Sequence, residues 1–447
     1  RQLPASYDEA NKYGRITSLI CLAMRARLLT FAASDSVNGN PDPEMQAMTN
    51  VDGVKIFSAT FEANHWKRAK DANKLLIEEA EKAGHALYKE YLSDGVAIDP
   101  FLSYQNMMMK TYKEGNTEII FPRTKDNAGW FDDCALPRGA GGLGSLGVTQ
   151  LLVDDFFMKD GKMPILGYNN SGNTQTAIIN PETEYSETGY STEDDVRATN
   201  WHYAVAGASA SGDSHVVAPK NTFNMYCNRE PRFYISVVYN EQYHWGKGKA
   251  TNFFFNGEDG QPSHDNPSAG YLIRKHVDPT FVHSTNTGTY KSRQGILYRL
   301  AEAYLSYAES ALEYSIAKGT YNSEKEDIVK CINKIRERAG IPQYGASGLG
   351  IPTEPEEMRK LIRRERRVEM NCEGGLRWFD LRRWKEAENV LNGKFYGMNM
   401  LAEKDNRDDF YKRVSYQTRK FISYWWPIPQ DEIDKNPNLK QMPGWMN

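Results

Sequence analysis

The segment from Met358 to Trp384 constrains the fold of this chain more than any other part of its sequence. Its first half has apolar residues at helical spacing, and Glu365 and Glu369 lie four residues apart on or beside the same side. A Glu-Gly-Gly break follows, and then a second short helical stretch. Carboxylates on the core-facing side of a helix need cationic partners, because an unpaired buried charge is costly.

Arginines of the same segment are predicted to be those partners. They are Arg363, Arg364, Arg366, Arg367, Arg377, Arg382 and Arg383. A guanidinium holds a carboxylate through two parallel hydrogen bonds, so we interpret the segment as a structural lock built from ion pairs. The alternative makes Glu365 and Asp380 a general acid and base for glycoside cleavage, and so many neighbouring arginines argue against it.

This segment also carries a family resemblance, because ERRVEMNCEGGLRWFDLRRW resembles the C-terminal signature of SusD/RagB-type outer-membrane nutrient-binding lipoproteins of Bacteroidetes. Other stretches resemble the same family in the same order. They are GVTQLLVDDFFMKDGK, NREPRFYISVVY, Leu272–Lys275, LYRLAEAYLSYAESALE and WWPIPQDEIDKNPNLKQMPGW. The chain departs from the family pattern after the break, where Gly375 and Leu376 both precede Arg377 instead of a single residue.

The resemblance implies a non-catalytic protein that binds an oligosaccharide or polysaccharide at the cell surface. It implies delivery to a SusC-like TonB-dependent transporter, which such a subunit covers as a hinged lid in the outer membrane. The family also has an export signal, a lipid-carrying cysteine and early helices that this sequence does not contain. We therefore expect a surface-exposed lipoprotein that contacts the membrane only through a lipid anchor outside this chain.

Charge and hydropathy argue against two kinds of partner. The 447 residues include 55 basic and 58 acidic side chains, so the chain lacks the positive charge typical of nucleic-acid binding. No run of about 18 apolar residues is present, which argues against a membrane-spanning helix. The five cysteines have no C-x-x-C spacing and the eight histidines form no ligand array, so we expect buried free thiols, no metal and no cofactor.

Long helical stretches predict a scaffold of paired helices. Ser6 and Glu9 have capping-box spacing, and the helix that follows is expected to end near Ser34. A second helix runs from Trp66 to about Gly84, and a second pair is predicted over residues 297–339. Small residues along each stripe favour a tetratricopeptide-like α/α superhelix, and the family resemblance implies the same arrangement.

We therefore expect one mainly α-helical body in which a long insertion interrupts the scaffold. Residues 1–92 and 291–390 are assigned to the scaffold, residues 93–290 to a loop-rich, ligand-facing insertion with short strands, and residues 391–447 to a wrapping C-terminal tail. Within the insertion, the alternation of Arg232–Tyr239 predicts a strand.

Two other patterns in the insertion are interpreted without a functional role. Gly139–Gly144 matches G-x-G-x-x-G, but no buried strand precedes it, so a loop is favoured over a dinucleotide site. The carboxylate pairs Asp132-Asp133 and Asp154-Asp155 are expected to face solvent.

Aromatic clusters in the insertion are the candidates for ligand binding. Exposed rings can stack on sugar rings while neighbouring polar groups bind the hydroxyls. The clusters are Trp130 with Phe131, then Trp201, His202 and Tyr203, and then Tyr243, His244 and Trp245. For any one of these clusters taken alone, packing in the core is about as good an explanation as ligand binding. The other tryptophans are assigned structural roles, with Trp66, Trp378 and Trp384 in the core and Trp425 and Trp426 clamping the tail.

Two other function classes stay open. A glycoside hydrolase would use one of the carboxylate pairs, although no G-x-S-x-G motif or assignable triad supports enzyme activity. A peptide-binding or transporter-subunit adaptor of the RagB type would use the helix pairs. New reducing ends released from glycans would favour the hydrolase, and peptide binding without glycan binding would favour the adaptor.

Overall fold

The computed structural model describes residues 3–7, 12–50, 52–124, 128–197, 216–244, 247–279, 293–346 and 348–445. The helices in these ranges are α1 (Ser18–Ala33), α2 (Pro43–Gln46), α3 (Ala63–Lys82), α4 (Pro100–Met109), α5 (Ala128–Ala135), α6 (Gln150–Asp155), α7 (Pro231–Ser236), α8 (Leu300–Lys318), α9 (Tyr321–Arg338), α10 (Pro355–Glu369), α11 (Leu376–Arg383), α12 (Ala387–Leu391), α13 (Arg407–Phe410) and α14 (Gln430–Lys435). The predicted mainly α-helical class is confirmed.

The strands in the same ranges are short. They are β1 (Glu90–Tyr91), β2 (Ile98–Asp99), β3 (Ile119–Arg123), β4 (Ile165–Ser171), β5 (Thr174–Ile179), β6 (Val196–Arg197), β7 (Val216–Ala218), β8 (Val237–Val238), β9 (Tyr243–His244), β10 (Lys249–Ala250), β11 (Leu272–Ile273), β12 (Gly295–Arg299), β13 (Gly393–Met398) and β14 (Arg413–Arg419). The largest sheet has the order β13-β14-β5-β4 and is antiparallel throughout. It joins the C-terminal part of the chain to the β4–β5 hairpin.

The long helices form the predicted scaffold of helix pairs. Helix α3 packs against α1 and α8, and α8 packs against α9 and α10. Ala23, Ala72 and Ala308 are buried in the shared core, and their small side chains allow the helix axes to approach closely. The scaffold is split along the chain, because more than 200 residues separate α3 from α8.

The ends of the scaffold helices follow local signals. Helix α1 begins at Ser18, because the Thr17 hydroxyl accepts a hydrogen bond from the Ile20 N–H at 3.2 Å. The predicted start near Ser6 was therefore wrong, and Glu9 lies outside the described residues. Helix α8 ends at Lys318, and the next residue, Gly319, has a φ of +69°, a conformation that glycine adopts without steric cost.

The predicted strand at Arg232–Tyr239 was wrong over most of its length. Pro231 occupies the first turn of α7, where its restricted φ favours a helix, and only Val237–Val238 is extended. The side chains of α7 are almost all buried, so the alternation of residue types along it does not report one buried and one exposed face.

Glu365 and Glu369 are fully buried and ion-paired, as the structural-lock interpretation requires, but their partners differ from those predicted. Their cationic partners are Arg232, Arg299, Arg336 and Arg338, which lie on α7, β12 and α9. Neighbouring residues of a helix point in different directions, so arginines adjacent to Glu365 and Glu369 in sequence face elsewhere.

The ion pairs connect into one buried group, which we call the ion-pair lock. Its members are Arg232, Lys275, Arg299, Arg336 and Arg338 with Glu118, Glu230, Glu365, Glu369 and Glu373. The group contains five cations and five carboxylates, so its formal charge is balanced. It ties α7 and the chain after β11 to the helical scaffold.

Several arginines of the Met358–Trp384 segment make a second set of ion pairs. Asp380 accepts hydrogen bonds from Arg366 Nε at 2.7 Å and from Arg383 Nε at 2.9 Å. Burial acts to raise the pKa of Asp380, but these two guanidiniums hold it below its usual range. An ionised, buried and doubly paired carboxylate is not poised to donate a proton, so Asp380 is structural.

One member of each carboxylate pair expected to face solvent is buried instead, whereas Asp133 and Asp155 are half-buried. Asp132 is buried with Arg293, and their two N–O distances are 2.6 and 2.9 Å. Asp154 is buried with Arg413 at 2.6 and 2.8 Å. Each partner arginine lies more than 150 residues away in sequence, so only folding reveals that these carboxylates are paired.

The tryptophans outside the insertion divide into buried and exposed groups. Trp66 and Trp384 are buried, as predicted. Trp378 was wrongly assigned to the core, because 37% of it is exposed and the Arg382 guanidinium covers its ring at 3.4 Å. Trp425 accepts a hydrogen bond from the Trp445 indole at 2.7 Å, which fastens the tail, whereas Trp426 is exposed.

The prediction that the cysteines are buried free thiols holds for only some of them. Cys134 and Cys227 are buried and free, but Cys21 is exposed. In the part of the chain that the structure describes, no helix is both long and apolar enough to cross a membrane.

Candidate functional site

The β9–β10 hairpin lies at the centre of the candidate site. Tyr243 pairs with Ala250 and His244 with Lys249. Tyr243 is half-buried and packs against the core of the loop-rich part, while His244 is buried. Burial, together with Arg274 and Lys247, lowers the pKa of His244 well below its usual value, so this ring is neutral at physiological pH.

A cavity of about 430 Å³ opens beside this hairpin, and we call it the hairpin pocket. Its walls come from residues 219–222, 241, 249–252, 254, 258, 404 and 407. Three separate parts of the chain therefore meet around one concave surface. Most of the lining side chains are polar or charged, which suits a hydrated ligand that carries many hydrogen-bonding groups.

Arg407 is held rigidly in the wall of the hairpin pocket. Its Nε donates to Glu241 Oε2 at 2.7 Å, and its Nη2 donates to the Asn221 carbonyl at 2.6 Å. The guanidinium also lies 3.9 Å from the centre of the Tyr190 ring. A positive charge fixed in this way loses little conformational entropy when a ligand binds.

Two residues of the pocket wall have left-handed backbone conformations. Asn221 has a φ of +71° and Glu241 a φ of +67°. Such conformations cost about 1–3 kcal/mol for residues other than glycine and occur often at binding sites. The contacts of Arg407 with both residues help to hold the two turns in place.

Trp130 presents an exposed ring. It lies on α5, and 66% of it is accessible to solvent. Its neighbour Phe131 packs edge-on against His276, with the ring centres 6.1 Å apart, which anchors the helix. A Trp side chain on an anchored helix is a rigid platform with few conformations to lose.

One loop connects α5 to the hairpin pocket. In the turn after α5, the Gly139 N–H donates to Asp259 Oδ1 at 2.7 Å, and Arg138 Nη2 donates to the Gly257 carbonyl at 3.0 Å. Glu258, between these two acceptors, lines the pocket. A Cβ on Gly139 would lie 2.6 Å from the Glu258 carboxyl carbon and 2.8 Å from Lys247 Nζ, so the absence of a side chain at Gly139 lets these two flexible side chains approach the turn.

Of the other predicted ligand-binding residues, the structure describes only Tyr243 and His244. Trp201, His202, Tyr203 and Trp245 lie outside the described residues. The pocket-lining Lys249, Glu241 and Arg407 were missed by the sequence analysis. They come from distant segments without a common motif, and a charged residue in a turn is ordinarily interpreted as solvated.

The carboxylates of the hairpin pocket are paired with cations. Glu258 lies 2.8 Å from Lys249 Nζ, and that hydrogen bond lowers the pKa of Glu258. A general acid for glycoside cleavage needs a raised pKa, so Glu258 is unsuited to that role. Among the described residues, no group of three or more His, Cys, Asp and Glu side chains is arranged to hold a metal ion.

Solved structures share this fold over almost the whole chain. BT4246 is 25% identical, with a TM-score of 0.74, and the match covers 99% of this chain and 73% of BT4246. The SusD-like protein BF3747 of Bacteroides fragilis NCTC 9343 is 23% identical, with a TM-score of 0.63 and coverage of 99% and 68%. The SusD-like carbohydrate binding protein BF0978 of the same organism is 18% identical, with a TM-score of 0.59 and coverage of 98% and 68%.

The sequence itself was compared with family models and with curated proteins. No curated protein is detectably similar to it. The model of the SusD family matches residues 103–445, which is more than half of the chain and includes the hairpin pocket and the ion-pair lock, so this protein belongs to the SusD family.

Proposed function

We propose that this protein binds oligosaccharides at the surface of the outer membrane and delivers them, uncleaved, to a SusC-like TonB-dependent transporter. The observation that carries the proposal is the exposed Trp130 ring, which one loop connects to a polar, charged pocket. Membership in the SusD family supports the same function. Attachment to the membrane through a lipid outside this chain is part of the proposal.

An exposed indole and a polar pocket are complementary to the two surfaces of a sugar. The ring face of a pyranose is weakly hydrated C–H surface, whereas its edge carries hydroxyl groups. If a sugar covers about 60 Å² of apolar surface at Trp130, that burial contributes about 1.5 kcal/mol. Several contacts of this size give moderate affinity, which suits capture followed by release to a transporter.

We propose a division of the chain into a ligand-facing part, a helical scaffold and a C-terminal tail. Residues 93–290 are proposed as the ligand-facing part, residues 1–92 and 291–390 as the scaffold, and residues 391–447 as the C-terminal tail, which contributes Lys404 and Arg407 to the hairpin pocket. In addition to Trp130, we propose five further ligand contacts: Trp201, His202, Tyr203, Tyr243 and Trp245. Residues on loops can vary without disturbing the helical core, which allows one scaffold to serve different ligands.

Affinity electrophoresis with a panel of soluble polysaccharides tests the proposal, with calorimetry on any ligand found. We expect Trp130→Ala to weaken binding about tenfold, which corresponds to the loss of roughly 1.4 kcal/mol. Trp426→Ala is the matched control, because Trp426 is 68% exposed but lies in the C-terminal tail. It should retain wild-type affinity, and both variants should keep the wild-type melting temperature.

Variants of the other two clusters complete the test. Trp201→Ala, Tyr203→Ala and Tyr243→Ala should each reduce retention of the same ligand. Unchanged retention after substitution in all three clusters would refute the proposed site. New reducing ends released from a bound glycan would refute the non-catalytic function, and binding of peptides without glycans would favour an adaptor instead.

A further inference from the structure

The side chains around the hairpin pocket carry an excess of positive charge. The pocket is lined by four cations, Lys220, Lys249, Lys404 and Arg407, and by two carboxylates, Glu241 and Glu258. The chain as a whole has a formal charge of −3, so this excess is local and opposite in sign. Concave surfaces lined by one sign of charge concentrate ligands of the opposite sign.

Each carboxylate of the pocket is already paired with one of its cations. Glu241 lies 2.6 Å from Arg407 Nη2, and Glu258 lies 2.8 Å from Lys249 Nζ. Within the described residues, neither Lys220 nor Lys404 has a carboxylate oxygen within 4.0 Å of its ammonium group. The excess charge of the pocket therefore resides on these two lysines.

Both lysines lie on turns that the surrounding structure holds in place. The Lys220 N–H donates to Asp194 Oδ1 at 2.9 Å, and the next residue, Asn221, donates its N–H to the Ser191 carbonyl at 2.9 Å. Lys404 begins a short 3₁₀ turn, and the strand-like bridge between Glu403 and Phe255 ties that turn to the hairpin side of the pocket. The backbones that carry the two charges are thus fixed before a ligand arrives.

Arg407 adds a directional donor to the same surface. Its Nε and Nη2 make the bonds to Glu241 and Asn221, and no described residue accepts a hydrogen bond from its Nη1. A guanidinium nitrogen held in a fixed orientation suits the planar or tetrahedral oxygens of a carboxylate or a sulfate. Charge-assisted hydrogen bonds of this kind are roughly twice as strong as neutral ones.

We infer that the hairpin pocket binds the anionic substituent of an acidic oligosaccharide, a uronate carboxylate or a sulfate ester, through Lys220, Lys404 and Arg407. This inference rests on the oligosaccharide-binding function proposed above and specifies the class of sugar. A neutral sugar offers no group that offsets the desolvation of two ammonium groups, whereas an anionic one replaces their water with opposite charge.

The test uses native gels that contain dextran sulfate, polygalacturonate or neutral dextran, each at low and high NaCl. The wild-type protein should be retarded by one or both polyanions more than by dextran, and high NaCl should weaken the retardation. Retardation by dextran sulfate alone assigns the pocket to sulfate esters, and retardation by polygalacturonate alone assigns it to uronates. Either result, or both together, supports the inference.

A pair of charge-reversal variants distinguishes the pocket from the overall charge. Lys220→Glu/Lys404→Glu should weaken polyanion binding about tenfold, because each exposed ion pair alters a binding constant by roughly two- to fivefold. Lys318→Glu/Lys440→Glu changes the net charge equally at exposed lysines outside the pocket and should have less than about half of that effect. Circular dichroism should show that both variants are folded.

The outcomes that overturn the inference are distinct from those that overturn the proposed function. Equal weakening by the two double variants would overturn the inference, because the effect would then be one of net charge. The inference would also be overturned if the protein retained a neutral glycan and this retention required Trp130 but neither Lys220 nor Lys404. The proposed oligosaccharide-binding function would still stand in that case. Failure to retain any neutral or anionic glycan would overturn both.

Discussion

Replacing Arg299 by methionine tests whether the ion-pair lock stabilises the fold. The Arg299 side chain is fully buried, and its guanidinium contacts three carboxylates. Glu118 and Glu369 each accept from Nη1 at 2.7 Å, and Glu373 accepts from Nε at 2.9 Å and from Nη2 at 2.7 Å. Methionine fills much of the same volume, so the substitution removes mainly the charge and its hydrogen bonds.

The expected loss of stability follows from the charge balance. After the substitution, five buried carboxylates of the lock face four cations. Removing one partner of a buried ion pair costs about 3–5 kcal/mol, because the remaining charge is left uncompensated. Domains of this kind have total stabilities of about 5–15 kcal/mol, so the variant should lose a large fraction of its free energy of unfolding.

The pH dependence of the loss supplies a second readout. Burial acts to raise the pKa of Glu373, but Arg299 and Lys275 lower it from 4.5 to about 2. Ionised Glu373 therefore contributes stability above pH 4.5, and that contribution disappears as the pH falls towards 2. Without Arg299 the pKa of Glu373 rises, so the difference between wild type and variant should narrow as the pH falls below 4.5.

Urea denaturation followed by tryptophan fluorescence at pH 7 and pH 4 measures both effects. Lys67→Met is the control, because Lys67 Nζ lies 2.7 Å from Asp71 Oδ2 but both side chains are at least half exposed. This variant should unfold at the wild-type urea concentration. A folded Arg299→Met protein that loses less than about 1 kcal/mol at pH 7 would refute the stabilising role of the lock.

Two further predictions concern the wild-type lock and its surroundings. The thermal midpoint of the wild-type protein should fall as the pH drops from 4.5 towards 2, because the depressed pKa of Glu373 makes folding release protons over this range. A thermal midpoint that does not change between pH 4.5 and pH 2 would contradict this prediction. Gly161→Ala should destabilise the protein by about 1–3 kcal/mol more than Gly172→Ala in chemical denaturation. Both glycines have positive φ, but a Cβ on Gly161 would lie 2.3 Å from Arg336 Nη2, whereas Gly172 has no atom within 4 Å, so equal losses would argue against this clash.

The helices of the scaffold could be predicted from the sequence because helical periodicity is a local property. Spacing of apolar residues located α3 and the α8–α9 pair, and the Glu-Gly-Gly break located the junction between α10 and α11. The start of α1 was missed because two candidate caps precede it. Thr17 makes the observed capping hydrogen bond, and nothing in the local pattern excluded a cap at Ser6.

The partners of buried charges could not be predicted in the same way. The sequence placed Glu365 and Glu369 on a core-facing side, and both are buried. Their partners lie on α7, β12 and α9, and Arg232 is 137 residues from Glu369. A single sequence contains no signal that matches one carboxylate to one distant guanidinium, which is also why Asp132 and Asp154 were expected to face solvent.

The candidate site shows the same limit. Trp130 could be selected because an aromatic residue with polar neighbours in loop-rich sequence often has an exposed ring. The hairpin pocket could not be predicted, since residues 219–222, the hairpin and residues 404–407 meet only after the intervening chain has folded. Its positive charge is likewise a sum over segments that are unremarkable one by one.

The amino-acid sequence by itself determined the helix pairs, the break after α10 and the family to which the chain belongs, because each depends on residues close together or on ordered motifs. Folding decided which charges neutralise one another and which remain available in the hairpin pocket. The physical reason is that an ion pair depends on distances of a few ångströms in space, whereas its members are separated by up to hundreds of residues along the chain.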